Sequence, residues 1–311
     1  MDSNGRGSSS PPDTFPSEVA LTAKSYSLQK QEARFGRGLI LPAVIVIGGL
    51  IIYPLFYNLY LSFFEVHLQG ANVFLGLKNY TDVLSELSFW QSVLTTFIYV
   101  VGTTVGTTLV GLLVALVMNR EFPLRGLVRS LVLLPYVAPV ISVVFAWQFI
   151  FDPVNGIFMY WTVEVLHIFD TRFNLIGNPR TAVLVAIAFN IWKNFPFAYL
   201  MILSKLQSIN TTYYEAAEID GASSWQKFRF VTIPELSFVI GAIVILRVIW
   251  NFNKFEEIYL LTENVKVLSV YTYFKAFTGA MEQGQGAALA LIQFLLLLGF
   301  ILVYVKRVLK W

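Results

Sequence analysis

Apolar residues gather along this chain into six long blocks with few charges inside them and polar segments between. They cover roughly residues 38–63, 92–118, 127–150, 181–204, 235–259 and 286–305. Each is about as long as the roughly 20 residues that a helix needs to cross ~30 Å of hydrocarbon. Glycine, serine and threonine recur within the blocks, as they do where membrane helices pack closely. The pattern predicts an all-α integral membrane protein with six transmembrane helices. The first block is far longer than a signal-peptide core and lies well inside the chain, so it reads as a retained span. Residues 1–35 are polar and rich in serine, proline and glycine. They read as a disordered cytoplasmic tail, leaving 36–311 as the membrane domain. Between the third and fourth blocks, residues 151–180 are aromatic but broken by Pro153, Gly156, Asp170, Arg172 and Pro179. An interfacial helix and a loop are expected there, not a seventh span, because irregular backbone cannot face lipid.

Charge sets the orientation. Lysine and arginine are more frequent in the segments that fall inside if the amino terminus is cytoplasmic, among them the short loop with Arg120, Arg125 and Arg129. The positive-inside bias therefore predicts a multi-pass protein of the cell membrane with both termini in the cytoplasm. Composition agrees: 56% of residues are apolar and 13% charged, against about 25% charged in an ordinary soluble domain. The net charge of +3 is not gathered into a basic patch interleaved with aromatics, so a nucleic-acid partner is excluded. With no cysteine in the chain, disulfides and thiolate metal sites are excluded too. The two histidines, His67 and His167, fall in extramembrane segments and read as surface residues.

The polar stretch from about 205 to 234 is more elaborate than a linker requires. Asn210, Thr211 and Thr212 can cap a helix with Glu215 near its positive end. Gly221 marks a turn, and Pro234 is expected to set the entry to the fifth span. Tyr213, Tyr214, Trp225 and Phe228 are apolar anchors framed by Glu215, Glu218, Asp220, Lys227 and Arg229. Residue types alone leave two readings open: a docking element for a partner, or a helix lying on the membrane surface.

The string "YEAAEIDGASSWQKFRFVTIPEL" resembles the signature loop of permease subunits of binding-protein-dependent ABC importers. The family pattern, E-A-A then three residues and a glycine, falls on Glu215, Ala216, Ala217 and Gly221, with Ile233 and Pro234 completing it. Asp220, Ala222, Trp225 and Phe228 resemble the carbohydrate-uptake branch. "FLGLKNY" at 74–80, the third block with Pro135, Pro139 and Trp147, and the closing "GQGAALALIQFLLLLG" are similar to the same branch, in particular to the larger maltose permease subunit and related sugar permeases. One departure is "LLTENVKVLSV", where many relatives carry T-G-G-G-P after the fifth span. The resemblance implies the type I permease fold with six spans and a set of partners: a second homologous permease subunit forming a heterodimer, two ATP-binding cassette subunits, an extracytoplasmic solute-binding protein and membrane lipid. It also implies import of a sugar, a di- or oligosaccharide leading and a polyol open. Coupling to the ATPase would run through Glu215, Ala216, Ala217, Asp220, Gly221 and Trp225. No cofactor is bound by the chain itself; ATP and magnesium belong to the partner subunits.

The chain's own chemistry is sparse. No phosphate-cradling G-x-x-x-x-G-K-[ST] occurs, no catalytic constellation is found, and no acidic residue is expected at the buried level of the bundle. Gly102, Gly106 and Gly111 form a small-residue stripe for helix packing. Lys193 and Arg247 lie inside spans, where charges are costly and usually functional. Counted from Lys205 and Pro234, both sit about 18–20 Å along their helices, hence at similar depth. Asn190, Lys193 and Asn194 gather on one helix, and Arg247, Asn251 and Lys254 are expected to share one face of another. A polar solute pathway lined by Asn190, Lys193, Asn194, Arg247 and Asn251 is one reading, with Trp192, Trp250 or Phe195 stacking on a sugar. Structural pairing or gating is the other. Pro135 and Pro139 bend or break the third span, either to line a pathway or as an ordinary proline kink.

Overall fold

A computed structural model describes residues 35–36, 38–67 and 71–309; of these, the side chains of 308 and 309 are left aside. The tail expected over residues 1–35 lies outside the described residues except for Phe35. Contacts divide the chain at Asn58/Leu59 into two compact units. The first holds most of the opening span, α1 (Gly38–Leu61), which widens into a π-turn at Gly48–Ile52.

The second unit begins with a two-stranded antiparallel hairpin, β1 (Phe64–Glu65) and β2 (Val73–Phe74), and a helix α2 (Lys78–Ser85). The hairpin is tied down by the "FLGLKNY" element. The buried Asn79 side chain donates to the carbonyls of Ser62 (2.9 Å) and Phe64 (3.0 Å), and the Tyr80 hydroxyl meets Ser62 Oγ at 2.6 Å. The long spans α3 (Leu87–Met118) and α7 (Pro179–Ser208) form the axis of the unit. They pack through the glycine stripe: a Cβ at Gly111 would lie 2.6 Å from Ala198 Cβ and 2.9 Å from the Tyr199 nitrogen. Buried threonines on the same face satisfy themselves, as Thr103 and Thr107 each donate at 2.6 Å to the carbonyl four residues back. α7 opens on Asn178, which caps the Arg180 N–H at 3.0 Å, with Pro179 in the first turn.

The third apolar block is two helices, α4 (Arg125–Val137) and α5 (Val140–Ile150), bent by 92°. The segment after it forms a short helix, α6 (157–165), and an irregular stretch, not a span. A further helix, α8 (Thr211–Ile219), precedes the span α9 (Ser224–Phe252). After α9 the chain breaks, re-forms as α10 (Glu256–Leu261) and α11 (Leu268–Phe277), and ends in the span α12 (Gln283–Arg307). Among the described residues five helices are long and apolar enough to cross a membrane, and six spans result when the bent pair is counted as one. The expected all-α membrane architecture is therefore present.

Two corrections follow. Pro234 stands in the first turn of the regular α-helix Ile233–Phe252, but the helical run does not begin there: α9 already starts at Ser224 and passes through it. A π-turn at Phe228–Thr232 absorbs the proline, with the Ile233 N–H reaching back five residues to the Phe228 carbonyl. Lys254 does not continue the Arg247–Asn251 face, because the helix ends at Phe252. The periodicity seen in sequence runs past the point where the helix stops.

Candidate functional site

Two sites are built on this frame. The first is the loop between α7 and α9. Asn210 accepts from the Thr212 N–H at 3.0 Å and starts α8. Its far end closes with Gly221 at φ +76°, the Gly221 N–H donating to Glu218 (2.9 Å) and the Ala222 N–H to Ala217 (2.8 Å). This is the paired bonding of a Schellman terminus, which needs a left-handed residue where glycine stands. Ser223 and Gln226 then form a capping box that starts α9 at once. Cross-links hold the two arms together: Lys227 pairs with Glu218, and the Tyr214 hydroxyl meets Thr232 Oγ1 at 3.0 Å. Lys205 pairs with Glu235 at 2.9 Å at the foot of the two spans.

What this rigid loop presents is apolar and unpaired. Ile219 is 88% exposed, Phe230 72% and Trp225 69%. Glu215, Ala216, Asp220 and Gly221 are exposed and Ala217 half-buried. Glu215 makes no ion pair among the described residues. Tyr213, Ala216, Phe230, Val231, Pro234 and Glu235 line a shallow groove beside it.

The second site is a polar layer between two apolar clusters. One cluster gathers Tyr99, Val144, Ala186, Phe189, Ile258 and Leu261; the other gathers Ala115, Ala198, Tyr199, Ile202, Leu236 and Ile243. Between them on α7 lie Asn190, Lys193 and Asn194, and on α9 Arg247 and Asn251, all five buried. The structure brings Asn190 and Arg247 together: Arg247 Nη2 donates to Asn190 Oδ1 at 2.9 Å. Asn190 Nδ2 in turn reaches the Tyr99 hydroxyl (3.0 Å) and Glu257 Oε2 (3.4 Å). Glu257 pairs with Lys254 at 3.1 Å. Asn251 donates to Thr103 Oγ1 at 2.9 Å, Asn194 to the Asn190 carbonyl at 3.0 Å. Lys193 stands apart from this chain of bonds and donates to the carbonyls of Ala138 (3.0 Å) and Pro135 (3.4 Å) at the break in the third span.

Aromatic rings border the layer. Trp250 lies with its ring centroid 6.0 Å from the Arg247 guanidinium and 5.1 Å from Phe197, which stacks near Tyr136. Trp192 is 38% and Trp250 42% exposed. Phe195, offered by sequence as a third stacking ring, packs instead against the apolar cluster below the layer. Glu257 and Tyr99 were not expected. Glu257 contradicts the reading that no acidic residue is buried at this level: it is 5% exposed, carried back into the bundle by α10. The signal available was Lys254 three residues before it. Both histidines are exposed, and no group of three or more His, Asp or Glu among the described residues is placed to hold a metal.

At the hairpin end a third cluster joins Glu86, Tyr271, Lys275 and Glu282. Lys275 Nζ lies 2.8 Å from Glu86 and 2.6 Å from Glu282, and the Tyr271 hydroxyl donates to Glu86 at 2.5 Å. Burial alone would push the Glu86 carboxyl up, but the bonds from Lys275 and Tyr271 and the charge of Lys275 outweigh it and hold it below its usual value.

A bundle of spans with a polar layer inside and a rigid, unpartnered helix–turn at one end defines a membrane transport subunit that works with a partner. The family profile described as "Binding-protein-dependent transport system inner membrane component" matches residues 107–310, and the chain belongs to that family. It is 39% identical over 281 residues to the inner membrane ABC transporter permease protein YcjO of Escherichia coli, covering 90% of this chain and 96% of that one. It is 32% identical over 290 residues to the trehalose/maltose transport system permease protein MalF of Thermococcus litoralis, covering 92% and 96%. The fold is also that of a chain in the crystal structure of a bacterial ABC transporter importing the acidic polysaccharide alginate. The TM-score there is 0.75 at 20% identity, over 91% of this chain and 99% of that one. The chain is thus the membrane component of an ABC import system, working with a solute-binding protein and with separate subunits that hydrolyse ATP.

Proposed function

We propose that the chain forms half of the translocation pathway of an ATP-driven importer of a sugar, a di- or oligosaccharide, paired with a second, homologous permease subunit. Both termini lie in the cytoplasm, and the loop from Glu215 to Gly221 docks in a cleft of an ATP-binding cassette subunit. Solute released by the binding protein on the opposite side passes the layer of Asn190, Lys193, Asn194, Arg247 and Asn251.

The observation that carries this reading is the construction of the loop. A nine-residue helix, α8, is capped at both ends, cross-linked to the foot of α9 and left with exposed Ile219, Trp225 and Phe230. Rings and aliphatic groups held that rigidly form the anchors of a docked interface. Rigidity is also what transmitting force requires, since closure of the ATPase pair reaches the spans only through this contact. Asp220 and the unpaired Glu215 add charge for a basic partner. Sugar as the solute is supported by the layer's donors, amides and cations beside exposed Trp192 and Trp250, and by the trehalose/maltose permease among the relatives.

The test is ATPase activity of the assembled complex in lipid with solute-loaded binding protein, comparing wild type with Glu215→Ala and Gly221→Asp. Both variants are expected to lose stimulated hydrolysis while still assembling in the membrane. Unchanged hydrolysis and uptake in both would overturn the coupling role of the loop. Screening sugars in the same assay identifies the solute.

A further inference from the structure

The 92° break in the third span ends the hydrogen-bond ladder of its first half, and the carbonyls of Pro135 and Ala138 are among those left without helical partners. Pro139 has no N–H to offer the Pro135 carbonyl four residues before it. Ala138, with φ −61° and ψ 139°, lies between the two helices, and its carbonyl joins neither ladder. An unpaired carbonyl in hydrocarbon costs several kcal/mol, so non-helical backbone persists there only where protein or water supplies donors. One ammonium supplies both: Lys193 Nζ lies 3.0 Å from the Ala138 oxygen and 3.4 Å from the Pro135 oxygen. Its positive charge also sits at the carboxyl end of α4, where the helix dipole is negative.

We infer that Lys193 is a positioning residue for transport, the brace that holds the two halves of the third span at their angle. This rests on the proposed pathway through the polar layer. The lysine belongs to α7, whose packing against α3 through Gly111 leaves no slack. The angle of the third span is therefore set from a neighbouring helix, not by its own sequence. Pro135 and Pro139 permit the break, and Lys193 fixes its geometry, with Tyr136 and Val137 presented at the corner. The side chain is 95% covered, and both of its hydrogen bonds are to backbone, which is the signature of a brace and not of a solute-binding amine.

The chain contains no cysteine, so Leu127→Cys and Phe149→Cys give it a single pair for spin labels, one on each half of the third span, in an importer whose other subunits are prepared without reactive cysteine. Both positions are exposed, at 57% and 64%. From the rise per residue, the backbone separation is about 23 Å for a right-angle bend and about 33 Å for a straight helix. In the assembled importer in lipid, Lys193→Met is expected to broaden the distance distribution and shift it toward the longer value. Lys193→Arg is expected to restore it. A second measurement uses the thermal stability of the complex. Pro139→Ala supplies the missing N–H to the Pro135 carbonyl, so Lys193→Met should cost less stability in that background than in wild type. An unchanged distance distribution in Lys193→Met overturns the inference, as do strictly additive stability losses. Reduced uptake with both readouts unmoved would assign Lys193 to solute contact, leaving the permease reading intact and the brace refuted.

Discussion

Replacing Asn190 by leucine isolates what the polar layer does for the bundle. Asn190 bonds to Arg247, Tyr99 and Glu257. Hydrogen bonds between membrane helices average about 0.6 kcal/mol, so losing three removes about 2 kcal/mol. The larger effect is on Arg247, which is 2% exposed and has Asn190 as its hydrogen-bond acceptor, its Nε having none among the described residues. A guanidinium without a partner at the centre of a membrane helix costs about 2.5–3.5 kcal/mol on insertion scales. The single variant should therefore lose about 4.5–5.5 kcal/mol, most of it from the stranded charge. Removing the charge as well reverses the sign of that part: Asn190→Leu with Arg247→Met should lose only about 2 kcal/mol, because apolar replacement of a buried charged set is often neutral or better. The measurement is thermal unfolding of the purified complex in one detergent, followed through aggregation and tryptophan fluorescence. A double variant less stable than Asn190→Leu alone would refute the reasoning. Arg247 would then be held by something other than Asn190.

Two further outcomes are expected. Gly111→Leu should prevent the close approach of α3 and α7, since the neighbouring atoms at 2.6 and 2.9 Å include Tyr199 backbone that cannot move aside. Its yield of assembled complex should collapse, whereas Gly126→Leu, at a position with open space, should not alter it. In the Glu86 cluster, the folded carboxyl titrates below its usual 4.5. The unfolded chain then binds the proton more readily, so this contribution is fully present above about pH 4.5 and is lost as pH falls through the lowered folded value. Glu86→Gln should flatten the fall of unfolding temperature with acid in that window; an identical slope in both proteins would remove Glu86 as its source.

The spans were legible because hydrocarbon imposes one requirement on every block, and five of the six lie within a few residues of the sequence reading; the fifth, read as 235–259, runs from Ser224 to Phe252. The loop between α7 and α9 was legible for a different reason. Asn210 and Gly221 are chosen by backbone geometry, and each occupies the cap or left-handed position its chemistry predicts; the capping box on Ser223 emerged only in the fold. What escaped depended on tertiary context. The Arg247–Asn251–Lys254 face assumed a helix that stops at Phe252, and nothing in local pattern marks that end. Glu257 falls inside the block read as 235–259 but was given no role, and only the fold shows that α10 carries it against Asn190. Tyr99 looks like one more aromatic in an apolar block, though its hydroxyl anchors the network. Two prolines announced a break in the third span, but its angle depends on an amine from another helix.

That last point bears on which polar residues are free for a solute. Two breaks flank the layer, at Ala138–Pro139 and at Asn253–Phe255, and both leave main-chain carbonyls outside the helical ladders. Side chains from neighbouring elements answer them. Lys193 serves Pro135 and Ala138, Gln293 reaches the Phe252 carbonyl at 3.3 Å, and Ser269 donates to the Lys254 carbonyl at 2.6 Å. Irregular backbone in a membrane demands such donors wherever it lines protein or a cavity, so these three residues are accounted for by the main chain. Arg247 and Asn251 are not: they serve no carbonyl, yet Arg247 Nε and Asn251 Oδ1 are buried without a partner among the described residues. Unsatisfied groups of this kind are rare in settled interiors and call for a ligand, a water or a second subunit. The proposed solute contact therefore rests more heavily on Arg247 and Asn251 than on Lys193. Substituting Asn251 by valine should weaken uptake while leaving the bend of the third span as it is. A changed bend with normal uptake would reverse that assignment.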